Sequence, residues 1–198
     1  MPRLVEHGQR RAEILEAVWR VVRARGLEQT TTRAIAEEAG CSLSVLAHYF
    51  GGKDEIILSA QTAVYERIVQ RAFRLGGDLF GLAALEQALL AGLPLDEERV
   101  ADAQVTVAFA SAALSRPLLA DARRRSHHEI RRLLYGCLAE ARELDELGDG
   151  VTDSDVVDEF IVLVEGIGLF GLLDGPPDNG MNRRLTRLAS DFVARLRR

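Results

Sequence analysis

The chain has 198 residues, with 30 acidic and 25 basic side chains and a formal net charge of -5. Its 47% hydrophobic and 28% charged content is that of a soluble globular chain, which excludes a disordered or fibrous protein. The acidity argues against a protein that coats nucleic acid, yet residues 1–60 hold eight basic and eight acidic side chains, so 17 basic and 22 acidic residues beyond them carry the whole excess.

Apolar residues recur at helical spacing almost everywhere. Ile14, Leu15, Val18, Trp19, Val21 and Val22 mark a first helix that stops at Gly26, a natural C-terminal glycine. A short second helix follows, N-capped by Thr31 or a neighbour and ending at Gly40. A third runs from about 43 to 50, closed by Gly51-Gly52, and Lys53 opens a long amphipathic helix that fades near Gly76-Gly77. Further helices are expected over about 78–91, 96–115, 117–145, 153–174 and 181–197. Gly92, Pro94, Pro117, Gly148 to Gly150 and Gly175-Pro176-Pro177 punctuate them. No window alternates as a strand does. The expectation is an all-α fold of nine helices. Residues 1–52 form a helix-turn-helix domain and 53–198 a longer, more acidic and more apolar helical domain, with the helix of about 53–75 belonging to both.

The informative stretch is TTTRAIAEEAGCSLSVLAHYFGGKDEI, from Thr30 to Ile56. Ala36 permits a close helix crossing, Gly40 a turn, and Leu46 a core plug, as a helix-turn-helix requires. At 100° per residue, Val45, Leu46, Tyr49 and Phe50 share one side of the third helix, while Leu43, Ser44, Ala47 and His48 share the other. That outer face is small and uncharged. It suits close approach to base edges in a major groove, where hydroxyls, an imidazole and small apolar groups read purine acceptors and thymine methyls. A plain surface helix is the alternative.

Residues 10–56 resemble the DNA-binding domain of the TetR family of bacterial transcriptional repressors, through ILEAVWRVVRARG, TTTRAIAEEAGCS and HYFGGKDEI in that order. The later stretch from ALLAGLPLDEERV through VEGIGLFGLL looks like the regulatory domain of the BetI-like branch. The resemblance implies a homodimer on a palindromic double-stranded DNA operator, released by a small-molecule effector, with residues 53–198 as the effector-binding and dimerisation domain. It implies that Thr31, Thr32 and Arg33 hold DNA phosphates, that Ser42, Leu43, Ser44, Val45 and His48 form the recognition helix, and that Tyr49 and Lys53 touch the backbone. A helix N-terminus favours anions, which gives the Lys53 match a physical basis. Many relatives carry tyrosine where this chain has Ala47. With no arginine on the recognition helix, the commonest bidentate guanine contact is unavailable. Arg33, Arg10 and Arg11 are then expected to hold DNA electrostatically, and Arg3, Arg10 and Arg11 could form a minor-groove arm or a solvated tail and first helical turn.

Other signals are weaker. GIGLFG, residues 166–171, matches a dinucleotide fingerprint but follows no strand, so close helix packing across a subunit interface is the better reading. On the last two helices, Val157, Phe160, Ile161, Val164, Gly168, Leu185, Leu188 and Phe192 are expected to form that interface. Tyr65, Phe80, Gln104, Val107, Phe109, Ser111 and His128 are candidate effector-pocket residues, though they would serve equally as core. His127-His128-Glu129 lacks a second ligand cluster at metal spacing, and Asp153, Asp155, Asp158 and Glu159 open a helix whose dipole favours them. Neither a metal nor another cofactor is expected, and no catalytic set emerges. The two cysteines, Cys41 and Cys137, make no disulfide framework, and neither a secretory signal nor a 20-residue apolar span is found, so a cytoplasmic protein without membrane attachment is expected. The competing reading is an all-helical small-molecule-binding or metal-binding enzyme without DNA binding.

Overall fold

A computed structural model describes residues 2–173 and 178–198, with side chains from residue 7 onward. Among these residues there are nine helices: α1 (Pro2–Arg25), α2 (Thr32–Glu38), α3 (Leu43–Tyr49), α4 (Lys53–Gly76), α5 (Gly81–Gly92), α6 (Glu97–Ala113), α7 (Pro117–Glu143), α8 (Asp153–Leu173) and α9 (Asn179–Ala194). The fold is all-α, with one isolated β-bridge between Leu147 and Arg197. The side chain of Arg3 and the Gly175-Pro176-Pro177 turn lie outside the described residues.

The chain forms two compact units. The first joins Met1–Tyr65 to Val105–Arg124, and the second joins Glu66–Gln104 to Arg125–Arg198. Helix α4 therefore runs through both, and so do α6 and α7, which the sequence did not signal.

In the first unit, α1 packs on α2 and α2 on α3. Ile14, Ala17, Val18, Ile35, Leu46, Ile56, Ala60 and Val64 are buried among these helices, at about 1.5–3 kcal/mol for each large side chain. Trp19 is buried as well, and its indole N–H donates to the Ala60 carbonyl at 2.9 Å. Three contacts fasten residues 105–124 into this unit. The Gln61 amide nitrogen donates to the Leu119 carbonyl at 3.1 Å, Arg116 pairs with Glu28 at 2.6 Å, and Arg123 donates to the Tyr65 hydroxyl at 2.6 Å.

In the second unit, α5 lies against α8 and α9. Its core gathers Leu82, Leu85 and Leu89 of α5, Leu134 and Leu138 of α7, Val157 and Phe160 of α8, and Leu185 and Phe192 of α9. Gly171 permits a close approach inside this unit: a β-carbon there would stand 2.9 Å from Pro94 Cγ. A buried ionic cluster ties α4 to α5 and α6. Arg71 donates to Asp102 at 2.6 Å, to Glu98 at 2.6 Å and to the Ala91 carbonyl at 3.2 Å, while Arg67 pairs with the other oxygen of Asp102.

Candidate nucleic-acid interface

The candidate reading helix, α3, is built by its caps and its turn. Thr31 N-caps α2, its side chain accepting from Ala34 N, and Ser42 N-caps α3, accepting from Val45 N. Each satisfies a backbone donor that the first helical turn leaves free. Gly40 takes φ +60° between them, a left-handed conformation that glycine adopts without a Cβ penalty, and a β-carbon there would meet nothing within 4 Å. The Cys41 N–H then closes the turn onto the Ala36 carbonyl at 2.9 Å. Ala36 and Leu46 are buried, as close crossing and a core plug require.

This arrangement leaves one face of α3 bare. Ser42, Leu43, Ser44, Ala47 and His48 are exposed. Val45, assigned to the inner side by periodicity, is 36% exposed, and Phe50 sits in extended backbone just after the helix, where it is buried. A seven-residue helix has room for little more than one inward anchor, and Leu46 takes it. The Ser42 and Ser44 hydroxyls lie 2.8 Å apart, forming a compact polar edge at the N-terminus of the helix. On α2, Thr31 and Arg33 are exposed and Thr32 is half-buried; Lys53 is half-buried at the start of α4. The residues assigned to DNA thus lie at the start of α2, along α3 and at the start of α4, all in the first unit.

Arg10 and Arg11 have other work than the sequence expectation gave them. Both lie within α1 rather than on a detached arm. Arg11 donates to the Tyr49 carbonyl at 2.7 Å and to the Ser59 hydroxyl at 2.8 Å, pairs with Glu55 at 3.5 Å, and stacks over Phe50 with its guanidinium carbon 4.1 Å from the ring centroid. Arg10 donates to Glu13 at 2.6 Å and to the Ala39 carbonyl at 3.3 Å, and the Glu13 hydrogen bond raises its pKa further above the ordinary arginine value. Their donors fasten the ends of α2 and α3 to α1 and α4. Sequence reasoning missed this clamp because a charge count cannot say which carbonyl a guanidinium will reach.

The pocket candidates divide between the units. Tyr65 and Phe109 are buried, Val107 half-buried and Ser111 exposed in the first; Phe80, at 60% exposure, Gln104 and His128 are exposed in the second. Gln61 was not foreseen. It is fully buried, and its Oε1 accepts no hydrogen bond among the described residues. The one available signal was an amide on the apolar face of α4, one turn from Ile57 and Val64. His127 Nε2 lies 3.3 Å from Glu165.

The interface candidates also need revision. Val157, Phe160, Leu185 and Phe192 are buried in the core of the second unit and Ile161 and Val164 are half-buried, whereas Gly168 has low exposure but a β-carbon there would meet nothing within 4 Å. Side chains spent on this core have no surface left for a partner. Of the expected set, Leu188 is exposed, and α8 instead presents Val162, Leu169, Phe170 and Leu173 at 69%, 45%, 50% and 76% exposure. Gly166 is exposed between Val162 and Leu169. Among the described residues, no three histidine, cysteine, aspartate or glutamate side chains gather as metal ligands, and no helix is long and apolar enough to cross a membrane.

Residues 14–60 match the family described as bacterial regulatory proteins, tetR family, and residues 82–198 match the C-terminal domain of BetI-type transcriptional repressors. The chain is 34% identical over 175 residues to the HTH-type transcriptional regulator PksA of Bacillus subtilis, covering 88% of this chain and 84% of that protein. A transcriptional regulator of Rhodococcus sp. Rha1 superposes with a TM-score of 0.77 at 25% identity, over 94% and 95% of the two chains. A Saccharomonospora viridis regulator crystallised with choline superposes with a TM-score of 0.78 at 18% identity, over 94% and 96%. With a helix-turn-helix that leaves one face of α3 bare and a C-terminal half that matches a regulatory domain, the chain belongs to the TetR family and is a DNA-binding transcriptional regulator with a BetI-type C-terminal domain.

Proposed function

We propose that the protein is a homodimeric, cytoplasmic repressor that leaves a palindromic operator when a small-molecule effector binds. The observation that carries this reading is the face of α3. Ser42, Leu43, Ser44, Ala47 and His48 stay exposed while Leu46 anchors the helix from behind. Such a helix can lie in a major groove with two hydroxyls, an imidazole and small apolar groups against the base edges. Thr31, Thr32, Arg33, Tyr49 and Lys53 flank it as backbone contacts, which set register without reading sequence.

Dimerisation uses the exposed apolar face of α8, with Leu188 of α9, covered by a second copy of the same face. Residues 1–52 read DNA and 53–198 dimerise and bind the effector, an apolar or amphipathic small molecule. Its candidate contacts are Tyr65, Val107, Phe109 and Ser111 in the first unit and, considered separately, Phe80, Gln104 and His128 in the second. Release requires that the effector bind the DNA-incompetent arrangement more tightly, and α4 is the element whose tilt transmits the difference.

The test is retention of genomic DNA fragments by the purified protein and by a His48→Ala, Ser44→Glu double variant. The wild type should retain specific fragments and the variant should lose them. Equal retention by both would remove α3 from the role of reader.

A further inference from the structure

We propose that His7 of α1 is a further DNA-contacting residue: paired with His48, it grips one operator phosphate in protonated form, so that DNA binding takes up protons. The inference rests on the function proposed above and adds to it a contact from α1 and a dependence on pH.

The His7 and His48 rings lie 6.0 Å apart at 71°, and each packs on the ring of Tyr49, at 4.5 Å for His7 and 5.2 Å for His48. Tyr49 thus orients an imidazole from each of two helices beside the reading face. Both histidines are exposed. At this separation both rings can direct an N–H at one phosphate, whose oxygens accept charge-assisted donors at about 2.8 Å.

The charges around the pair give the grip its purpose. Helix α3 holds no arginine or lysine. Arg10 and Arg11, three and four residues after His7 and so on its side of α1, spend their donors on Glu13, the Ala39 carbonyl, the Tyr49 carbonyl, Ser59 and Glu55. On α3 the titratable group in contact with both rings is Tyr49; on α4, Glu55 faces Arg11 at 3.5 Å and accepts from the Gly51 N–H at 2.7 Å. Charging one imidazole beside another costs Coulomb energy, and a phosphate in front of both offsets that cost. Imidazole ordinarily changes charge between about pH 5 and 8, so the exchange falls in an accessible range.

The experiment measures fluorescence anisotropy of a labelled duplex, carrying a site the protein itself selects from its genome, at about pH 6 and about pH 8 and constant ionic strength. Each imidazole that charges on binding adds up to about a factor of ten in affinity per pH unit, so the wild type should bind at least about tenfold tighter at the lower pH. His7→Gln should bind more weakly at the lower pH and lose a large part of that dependence. His7→Lys, with a permanent charge, should recover affinity at the higher pH. A wild type that binds the duplex equally at both values, or a His7→Gln variant with an undiminished pH dependence, would overturn the inference and leave the DNA-reading function standing. Failure to select any genomic fragment at either pH would overturn both.

Discussion

Asp102→Asn tests the claim that the second unit is held together by a buried ionic cluster. Asp102 is 2% exposed and Arg71 is 5% exposed. Arg71 reaches one carboxylate oxygen at 2.6 Å and Arg67 pairs with the other, so the carboxylate answers two guanidinium groups of α4 from α6. Asparagine keeps the volume but removes the charge, and turns an N–H₂ group toward one of those guanidinium groups. Removing one partner of a buried pair costs about 3–5 kcal/mol, because the remaining charge stays buried without compensation. Glu98 offsets part of that: its carboxylate already accepts from Arg71 at 2.6 Å, and it is free enough of its surroundings to follow the guanidinium. A loss of about 3 kcal/mol remains, which at roughly 2–4 °C per kcal/mol for a chain of this length lowers Tm by roughly 6–12 °C. Thermal melting followed by circular dichroism reads this directly. Asp102→Leu with Arg71→Met should lose less than Asp102→Asn alone, because an apolar pair leaves fewer charges uncompensated and Arg67, 27% exposed, can turn to solvent. A Tm within about 1 °C of wild type for Asp102→Asn would refute the cluster's role, since even a net buried hydrogen bond contributes about that much or more.

The other predictions concern DNA, assembly and thiol reactivity. Lys53→Ala should weaken binding to specific and unrelated duplexes alike and lower the slope of log affinity against log salt by about one for each phosphate the lysine no longer neutralises, measured by salt titration. Arg11→Met removes donors from the Tyr49 carbonyl and Ser59 while keeping a long apolar stem over Phe50, so it should lower Tm by roughly 2–8 °C, with DNA affinity falling through misplacement of α3. Leu173→Glu places a charge at the most exposed apolar position of α8, and analytical ultracentrifugation should show a shift from dimer to monomer; an unchanged dimer would move the interface elsewhere. Burial, then the neighbouring Glu140 carboxylate, pushes the Cys137 thiol above its ordinary pKa, so less thiolate is present near neutral pH. Iodoacetamide at about pH 7.5 should label Cys137 at least about tenfold more slowly in the folded protein than in urea, and the difference should shrink as pH rises.

What the sequence disclosed was local. Thr31, Ser42 and Gly40 announced the turn and its two short helices because capping hydroxyls and a left-handed glycine act within four residues of where they stand. Periodicity placed Leu46 inside and Leu43, Ser44, Ala47 and His48 outside as found, but it also turned Val45 inward, where a seven-residue helix anchored by Leu46 leaves it exposed. The outer face of α3, the most informative feature for function, was therefore legible. Long-range choices were not. Nothing near Leu119 indicates that its carbonyl receives Gln61 from 58 positions away, or that Arg116 meets Glu28 across 88. These contacts put residues 105–124 into the first unit, so the compact units follow neither one continuous segment nor the next. On α8, periodicity identified apolar stripes without saying which of them the protomer keeps for itself. Val157 and Phe160 meet Leu185 and Phe192 inside the unit, and Val162 and Leu173 are left outside. The same holds for Arg10 and Arg11, counted as free cations from the sequence but engaged with carbonyls and carboxylates in the fold.

The central claim is that two copies of α3 read a symmetric DNA site. The most direct measurement is the sequence of genomic fragments that the purified protein selects, with hydroxyl-radical footprints on them. The account predicts a palindrome whose half-sites are protected on one face of the duplex with centres about 34–36 Å apart or somewhat more, as two reading helices in successive major grooves require. Fragments without palindromy, or one undivided half-site bound by a single protomer, would contradict it.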